Sequence, residues 1–294
     1  MNCRLSHTKS GQVHERLMMF IRGKKTALVT GASSGMGKDI AKKLIKDGFQ
    51  VYVAARGVEK MTDLSALGAR PLRLDVSKEG EIKTAVDTIL AETGGVDVLV
   101  NNAGFGLYGP VEDIALDEAR YQFEVNLFGA ARLTQLLLPS MRAKRAGTIV
   151  NVTSMGGKIY SVLGAWYHAT KHALEGWSDC LRLEVAQFGI RVVIIEPGVI
   201  ETGFGDIASN NLLKRSAGSP YAGLAQKVAN SIANTYGHGT GSPGTVVANA
   251  VSRALKAKKP KTRYAVGKYA KMLLGMRKWL SDRAFDGIIM SQTK

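Results

Sequence analysis

Thr26-Ala27-Leu28-Val29-Thr30-Gly31-Ala32-Ser33-Ser34-Gly35-Met36-Gly37 is the stretch whose pattern decides the fold. Its first five residues have the composition of a short buried strand. Glycines follow at 31, 35 and 37, and then Ile40, Ala41 and Leu44 recur at helical spacing. Glycines in such a strand-to-helix turn let the backbone approach a diphosphate, which free N–H groups at the helix N-terminus stabilise. The backbone of Gly31, Ser33, Ser34, Gly35, Met36 and Gly37 is therefore a candidate dinucleotide cradle, although glycines also mark ordinary turns.

Downstream of that turn, short apolar runs alternate with amphipathic ones. Strands are predicted at Gln50–Ala55, Arg70–Leu74, Val96–Asn101, Gly147–Thr153 and Arg191–Glu196. Helices are predicted between them, over Val58–Leu67, Lys78–Glu92, Asp117–Met141 and Ala165–Phe188. The strands are almost continuously apolar, as they are when helices cover both faces of a parallel sheet. The fold class is α/β, a single doubly wound Rossmann-type domain. It is expected to span residues 25–267, preceded by a disordered extension over 1–24 and followed by a basic amphipathic tail over 268–294. From Val199 to Gly244 the chain is rich in Gly, Ser and Asn, which reads as a mobile substrate loop; strand-forming sequence resumes near Tyr264.

The whole chain has 294 residues and a formal charge of +16, concentrated in Arg16–Lys25 and between Lys256 and Arg283. No apolar run is long enough for a membrane span, and Met1–Lys24 lacks the apolar core of a secretory signal. Cys3 and Cys180 are the only cysteines. They make no disulfide framework, and a reducing cytoplasm is the expected location. No Cys/His spacing suits a metal. The basic tail lacks the spaced aromatics of a nucleic-acid module, so no nucleic-acid partner is expected.

The end of the second strand selects the nucleotide. A carboxylate there would accept hydrogen bonds from ribose hydroxyls and repel a 2′-phosphate. This chain has Ala55 followed by Arg56, and a guanidinium pairs with phosphate, which favours NADP(H). Further on, Tyr167 and Lys171 are four apart in a predicted helix and share a face. A neighbouring ammonium is expected to stabilise the phenolate and lower its pKa, suiting the phenol to proton transfer. Ser154 follows the fifth strand, at the edge where open α/β sheets bind ligands.

These markers together resemble the short-chain dehydrogenase/reductase family, from Lys25 to Lys259. They are the turn at Thr30–Gly37, Asn101-Asn102-Ala103-Gly104, Ser154, Tyr167-x-x-x-Lys171 and Pro197-Gly198. The resemblance implies a hydride-transferring oxidoreductase that interconverts an alcohol and a ketone or aldehyde with NADP(H). Tyr167 would be the general acid/base, Lys171 would lower its pKa and hold the nicotinamide ribose, and Ser154 would orient the substrate oxygen. Asn126 would shape the active-site helix and hold a relay water. Asp75 and Val76 would meet the adenine, with Asn102, Ala103 and Gly104 along its ribose. Pro197, Gly198, Val199 and Thr202 would receive the carboxamide.

The substrate pocket is expected from Phe105, Leu107, Tyr108, Met155, Val162, Trp166 and Phe204, a mainly apolar set that points to a lipid-, steroid- or retinoid-like substrate. His168 is read as structural, because neighbours on a helix point in different directions. Asp75 has a plainer alternative role as a cap for the following helix. The tail carries Leu273, Leu274, Trp279, Leu280, Phe285 and Ile288 between basic residues. This stripe packs on its own domain or on a second subunit, or docks on an anionic membrane. The family tendency implies a homodimer or homotetramer through the long helices. Three rival readings stay open: a 3-oxoacyl-thioester reductase, a non-catalytic NADP(H)-sensing regulator, and a polyanion binder using the basic ends.

Overall fold

The computed structural model describes residues 23–237 and 239–293; most of the N-terminal extension read from sequence lies outside them. Seven strands form one wholly parallel sheet in the order β3-β2-β1-β4-β5-β6-β7. They are β1 (Thr26–Thr30), β2 (Gln50–Ala55), β3 (Arg70–Arg73), β4 (Val98–Asn101), β5 (Gly147–Val152), β6 (Ile190–Pro197) and β7 (Arg263–Val266). The order reverses between β1 and β4, so the loops leaving these two strands part and open a crevice at their C-terminal ends.

Alternation along β1 shows how the sheet is covered. Ala27 and Val29 face α1 (Gly35–Lys46) and α9 (Thr245–Lys256), packing with Ile40, Leu44, Val247 and Val251. Leu28 faces the opposite layer of α3 (Glu79–Thr93), α5 (Gly129–Lys144) and α6 (Ala165–Ala186), among Ile89, Leu133, Leu137 and Leu181. A side chain of this size contributes about 1.5–3 kcal/mol when fully buried. Both faces of β1 are therefore buried.

Three regions differ from the sequence reading. The segment predicted as helix Val58–Leu67 is a 3₁₀ turn, Val58–Met61, followed by the short helix α2 (Thr62–Ala66). The long helix predicted over Asp117–Met141 is α4 (Leu116–Phe123) joined to α5 by a π-helical turn at Glu124–Phe128. The stretch 199–244, read as a loop, holds two helices, α7 (Phe204–Arg215) and α8 (Ala222–Tyr236). Their buried faces rest on small residues, Ala208, Ala225 and Ala229, with Leu212 and Val228. Alanine is the best helix former and fits a close helix–helix contact, but it gives little hydropathy contrast.

Past β7 the chain forms α10 (Ala270–Trp279) and α11 (Asp282–Ser291). Leu273, Phe285 and Ile289 are buried against Ile159, with Met155, Tyr160 and Val162 alongside. The tail therefore folds back on its own domain, beside the 3₁₀ turn that follows β5. Among the described residues, no helix is long and apolar enough to cross a membrane.

Candidate active site

The glycine turn has the shape needed for close approach of a ligand. Gly31 and Gly35 have φ of 66° and 51°, in the left-handed region that favours glycine. A β-carbon on Gly37 would collide with the Gly31 carbonyl oxygen and come within 2.5 Å of Asn102 Nδ2. No side chain caps the N-terminus of α1 at Ser34, which leaves its first-turn N–H groups as donors for an anion. This cradle fits a dinucleotide diphosphate.

The Asn101–Gly104 segment is tied to that turn. Thr30 Oγ1 accepts from the backbone N–H of both Asn102 and Ala103, each at 3.0 Å, and Asn102 Nδ2 donates to Thr30 O at 3.0 Å. Gly37→Ala should therefore destabilise the fold by about 1–3 kcal/mol through overpacking and weaken dinucleotide binding. Thermal unfolding and NADPH-fluorescence titration of the variant check both effects.

Arg56 is exposed at the end of β2, and its Nη1 lies 3.5 Å from Tyr121 Oη. Asp75 accepts from the Ser77 N–H at 3.0 Å and the Ser77 hydroxyl at 2.7 Å. It thus stabilises the turn before α3 and leaves the N-cap position to Lys78. Val76 is buried in the layer beneath.

A ladder of buried amides sets the rotation of α6. Asn101 Nδ2 donates to Asn151 Oδ1 at 2.9 Å, and Asn151 Nδ2 donates to Ser178 Oγ at 2.8 Å. With α6 held this way, Tyr167 and Lys171 face the C-terminal edge of the sheet. The π turn puts Asn126 opposite them. Its amide donates to Phe105 O and Thr170 Oγ1, and its oxygen accepts from the Phe105 N–H, all at 3.0 Å. A β-carbon on Gly104 would lie 3.1 Å from Asn126 Oδ1 and 3.6 Å from Lys171 Nζ. Asn126, Gly104 and Lys171 thus converge.

Ser154 caps the 3₁₀ turn Met155–Gly157, its hydroxyl accepting from the Gly156 N–H at 3.0 Å. The same hydroxyl faces the Tyr167 phenol and acts to lower its pKa. Tyr167 and Lys171 are 8% and 6% exposed, and that burial changes the expected electrostatics. Burial raises the Tyr167 pKa above that of a free phenol, only partly opposed by Ser154. Lys171 Nζ donates to Val152 O at 3.1 Å. Burial lowers its pKa to about 8, with the Glu175 charge acting the other way. The expected lowering of the phenol is therefore not found in the chain alone. Desolvation dominates, and the phenol is a protonated group at neutral pH.

Glu175 was not singled out from sequence, although its i+4 spacing from Lys171 places it on the same face. It accepts from Thr153 Oγ1 at 2.6 Å and Arg263 Nε at 3.0 Å. Arg263 also bonds Asp179 at 2.6 Å, so β7 is tied into the floor of the site.

The cavity at Ser154 and Tyr167 has a volume of about 400 Å³. Tyr108, Met155 and Val162 line it as expected, but most of its wall comes from regions not assigned to it in sequence. Val228, Ile232 and Tyr236 line it from α8, at the i, i+4, i+8 spacing that marks one helix face. Tyr269, Met272, Leu273 and Ile289 line it from the tail, with Gln292 and Thr293. Phe204 is not among the lining residues; its ring packs tilted against two that are, 5.6 Å from Tyr167 and 5.8 Å from Tyr236. Phe105, Leu107 and Trp166 pack in a separate cluster with Ile114 and Ala119 and do not line the cavity. Apolar residues beside a motif look alike in sequence whether they wall a pocket or fill a core.

His168 also lines the cavity, but its Nδ1 lies 2.8 Å from Gly156 O and its Nε2 2.9 Å from Ser161 Oγ. Burial pushes its pKa down to about 4. It is therefore a neutral latch on the Ser154 turn.

At the end of β6 the backbone is more committed than the motif suggests. Val199 donates its N–H to Lys268 O at 2.9 Å and accepts from the Ser242 N–H at 3.0 Å, so its N–H is already engaged. A β-carbon on Gly198 would collide with Lys268 O, so this glycine lets the strand leading to the tail pass close by. Thr202 reaches the glycine turn; a β-carbon on Gly35 would lie 3.2 Å from its Cγ2.

A sheet of this order, a glycine turn at its switch point and a Ser–Tyr–Lys–Asn cluster at its edge define an oxidoreductase class. The chain matches the family model for short chain dehydrogenase over residues 25–211, more than half its length, and belongs to that family. It is 32% identical over 271 residues to a probable short-chain type dehydrogenase/reductase, VdlC, of Helicobacter pylori, covering 89% of this chain and 95% of the relative. It is 34% identical to an NADPH-dependent 3-dehydrocapnine reductase of Ornithobacterium rhinotracheale, with 91% and 97% covered. The crystal structure of a short-chain dehydrogenase from Streptomyces avermitilis superposes with a TM-score of 0.73 at 34% identity, covering 92% of this chain and 96% of that one.

Proposed function

We propose that this protein is an NADP(H)-dependent oxidoreductase interconverting an alcohol and a ketone or aldehyde on an apolar, lipid-, steroid- or retinoid-like substrate. The observation that carries the reading is that Ser154 and Tyr167 line the same cavity, walled by Met155, Val162, Val228, Ile232, Leu273 and Ile289. The nicotinamide cofactor supplies the hydride when bound.

Holding it would fall to the backbone of 31–37, to Arg56, Asp75 and Val76, and to the Asn102–Gly104 segment. Tyr167 and Lys171 would meet its nicotinamide ribose, and Pro197, Gly198, Val199 and Thr202 its carboxamide end. The chain's own residues manage the proton. In the reducing direction, Ser154 and Tyr167 hydrogen-bond the carbonyl oxygen, and the phenol gives up its proton to it. The raised Tyr167 pKa keeps that proton in place beforehand. Lys171, charged below about pH 8, then stabilises the phenolate left behind. Asn126 clamps the Phe105 backbone to α6 and keeps the site in register.

The NADPH-dependent relative supports the choice of nucleotide, as does an exposed guanidinium at the end of β2. Arg56→Glu should cost about 10- to 100-fold in kcat/KM for NADPH, the worth of a charge-assisted hydrogen bond, and spare NADH. Initial rates with both nucleotides test this; equal losses would remove Arg56 from the site. A homodimer or homotetramer is supported by large apolar side chains exposed on α4, the π turn and α6: Leu116, Tyr121, Phe128 and Leu183. Sedimentation velocity on the wild type and a Phe128→Asp variant tests it.

A further inference from the structure

We infer that the outward face of α10, together with the basic groove beside it, docks this protein on an anionic lipid bilayer with the mouth of the substrate cavity facing the lipid. The inward face of α10 is accounted for by Ala270 and Leu273, both buried against the domain. Its other face is not. Trp279 is 81% exposed and Met272 53% exposed, seven residues and about two turns apart on one side of the helix. Lys271 and Lys278 repeat at the same spacing next to them, and Lys268, whose ammonium donates to Thr240 O at 2.8 Å, stands just before the helix. No carboxylate occurs between Lys268 and Trp279, and the next acid along the chain, Asp282, is paired with Arg277 at 2.8 Å.

Behind this face, α9, β7 and α10 enclose a groove of about 740 Å³ that includes Arg253, Lys268 and Lys271. Tyr269 and Met272 line both this groove and the substrate cavity. The cationic groove and the catalytic cavity therefore open side by side on the same exposed apolar helix.

Charge complementarity selects the occupant. Tryptophan and tyrosine with flanking lysines are the side chains that settle at the headgroup level, their rings in the acyl boundary and their ammonium groups on lipid phosphates. A bilayer contact here would also let an apolar substrate enter without crossing water. This purpose rests on the substrate class proposed above. Docking itself needs no turnover, so the two readings fail separately.

The test is co-sedimentation of the full-length protein with phosphatidylcholine vesicles, with and without phosphatidylglycerol. Binding is expected only with phosphatidylglycerol and should weaken as salt rises. The Lys271→Glu/Lys278→Glu double variant should lose at least about tenfold in partitioning. Trp279→Ser should lose affinity as well as the vesicle-induced blue shift in fluorescence, yet turn over a short water-soluble ketone at the wild-type rate. Absence of wild-type binding, or equal binding by the variants, would overturn the inference. Dissociation of a wild-type oligomer by Trp279→Ser would also overturn it, by assigning this face to a second copy of the chain.

Discussion

Tyr167→Phe is expected to lower kcat for ketone reduction by about 10²- to 10⁴-fold, the usual contribution of a positioned general acid, while NADPH affinity changes little. The variant keeps the ring, and with it the packing against Tyr108 at 5.7 Å and Phe204 at 5.6 Å. It loses only one buried hydroxyl facing Ser154, a change of about 1 kcal/mol of stability at most. A folded, cofactor-binding, inactive protein is thus the expected outcome. Stopped-flow single turnovers check it, because they report the chemical step apart from product release. Loss of the fold would mean that the phenol is structural. Full activity would mean that the proton comes from elsewhere.

Lys171→Met should be nearly as damaging to turnover and yet raise the stability of the free protein at neutral pH. The ammonium is 6% exposed, and burial moves its pKa from 10.5 to about 8. Below about pH 8 the lysine is protonated both folded and unfolded, and the folded state bears the whole desolvation cost, on the order of 3 kcal/mol. Between pH 8 and 10.5 the unfolded chain binds the extra proton, so wild-type stability rises with pH. Methionine has similar volume and no charge, but it gives up the bond to Val152 O, worth about 1 kcal/mol. The variant should gain about 1–2 kcal/mol at pH 7, with the gain fading above pH 8. Urea denaturation at two pH values measures this. The wild-type rate should fall along the same alkaline limb as Lys171 loses its proton. A variant less stable at pH 7 would show that the charge is well paired in the fold, against the direction of its pKa shift.

Most of the sheet was legible because β1, β5 and β6 are apolar on both faces, and the glycine turn and Tyr167–Lys171 spacing were legible because their geometry is local. What the sequence hid was tertiary. Helices α7 and α8 are held by Ala208, Ala225 and Ala229, side chains too small to stand out as an amphipathic stripe among glycines and serines. The tail's apolar residues were visible, but nothing in their order says that Leu273 and Ile289 meet Ile159. The wall of the cavity was therefore assigned to Phe105, Leu107 and Trp166, which fill a neighbouring core instead. The direction of the Tyr167 shift differs from the expectation for the same reason: a lysine four residues away can be read from the chain, but the burial that raises the phenol cannot.

The most direct test of hydride transfer by this site uses NADPH deuterated at C4 of the nicotinamide and a panel of apolar ketones and aldehydes, with the alcohol analysed by mass spectrometry. Wild-type protein should place deuterium on the carbinol carbon, NADH should be a poor substitute, and Tyr167→Phe should give no labelled product above background. Tight NADPH binding with no transfer to any ketone or aldehyde in the panel would contradict the catalytic reading and leave a nucleotide-sensing role in its place.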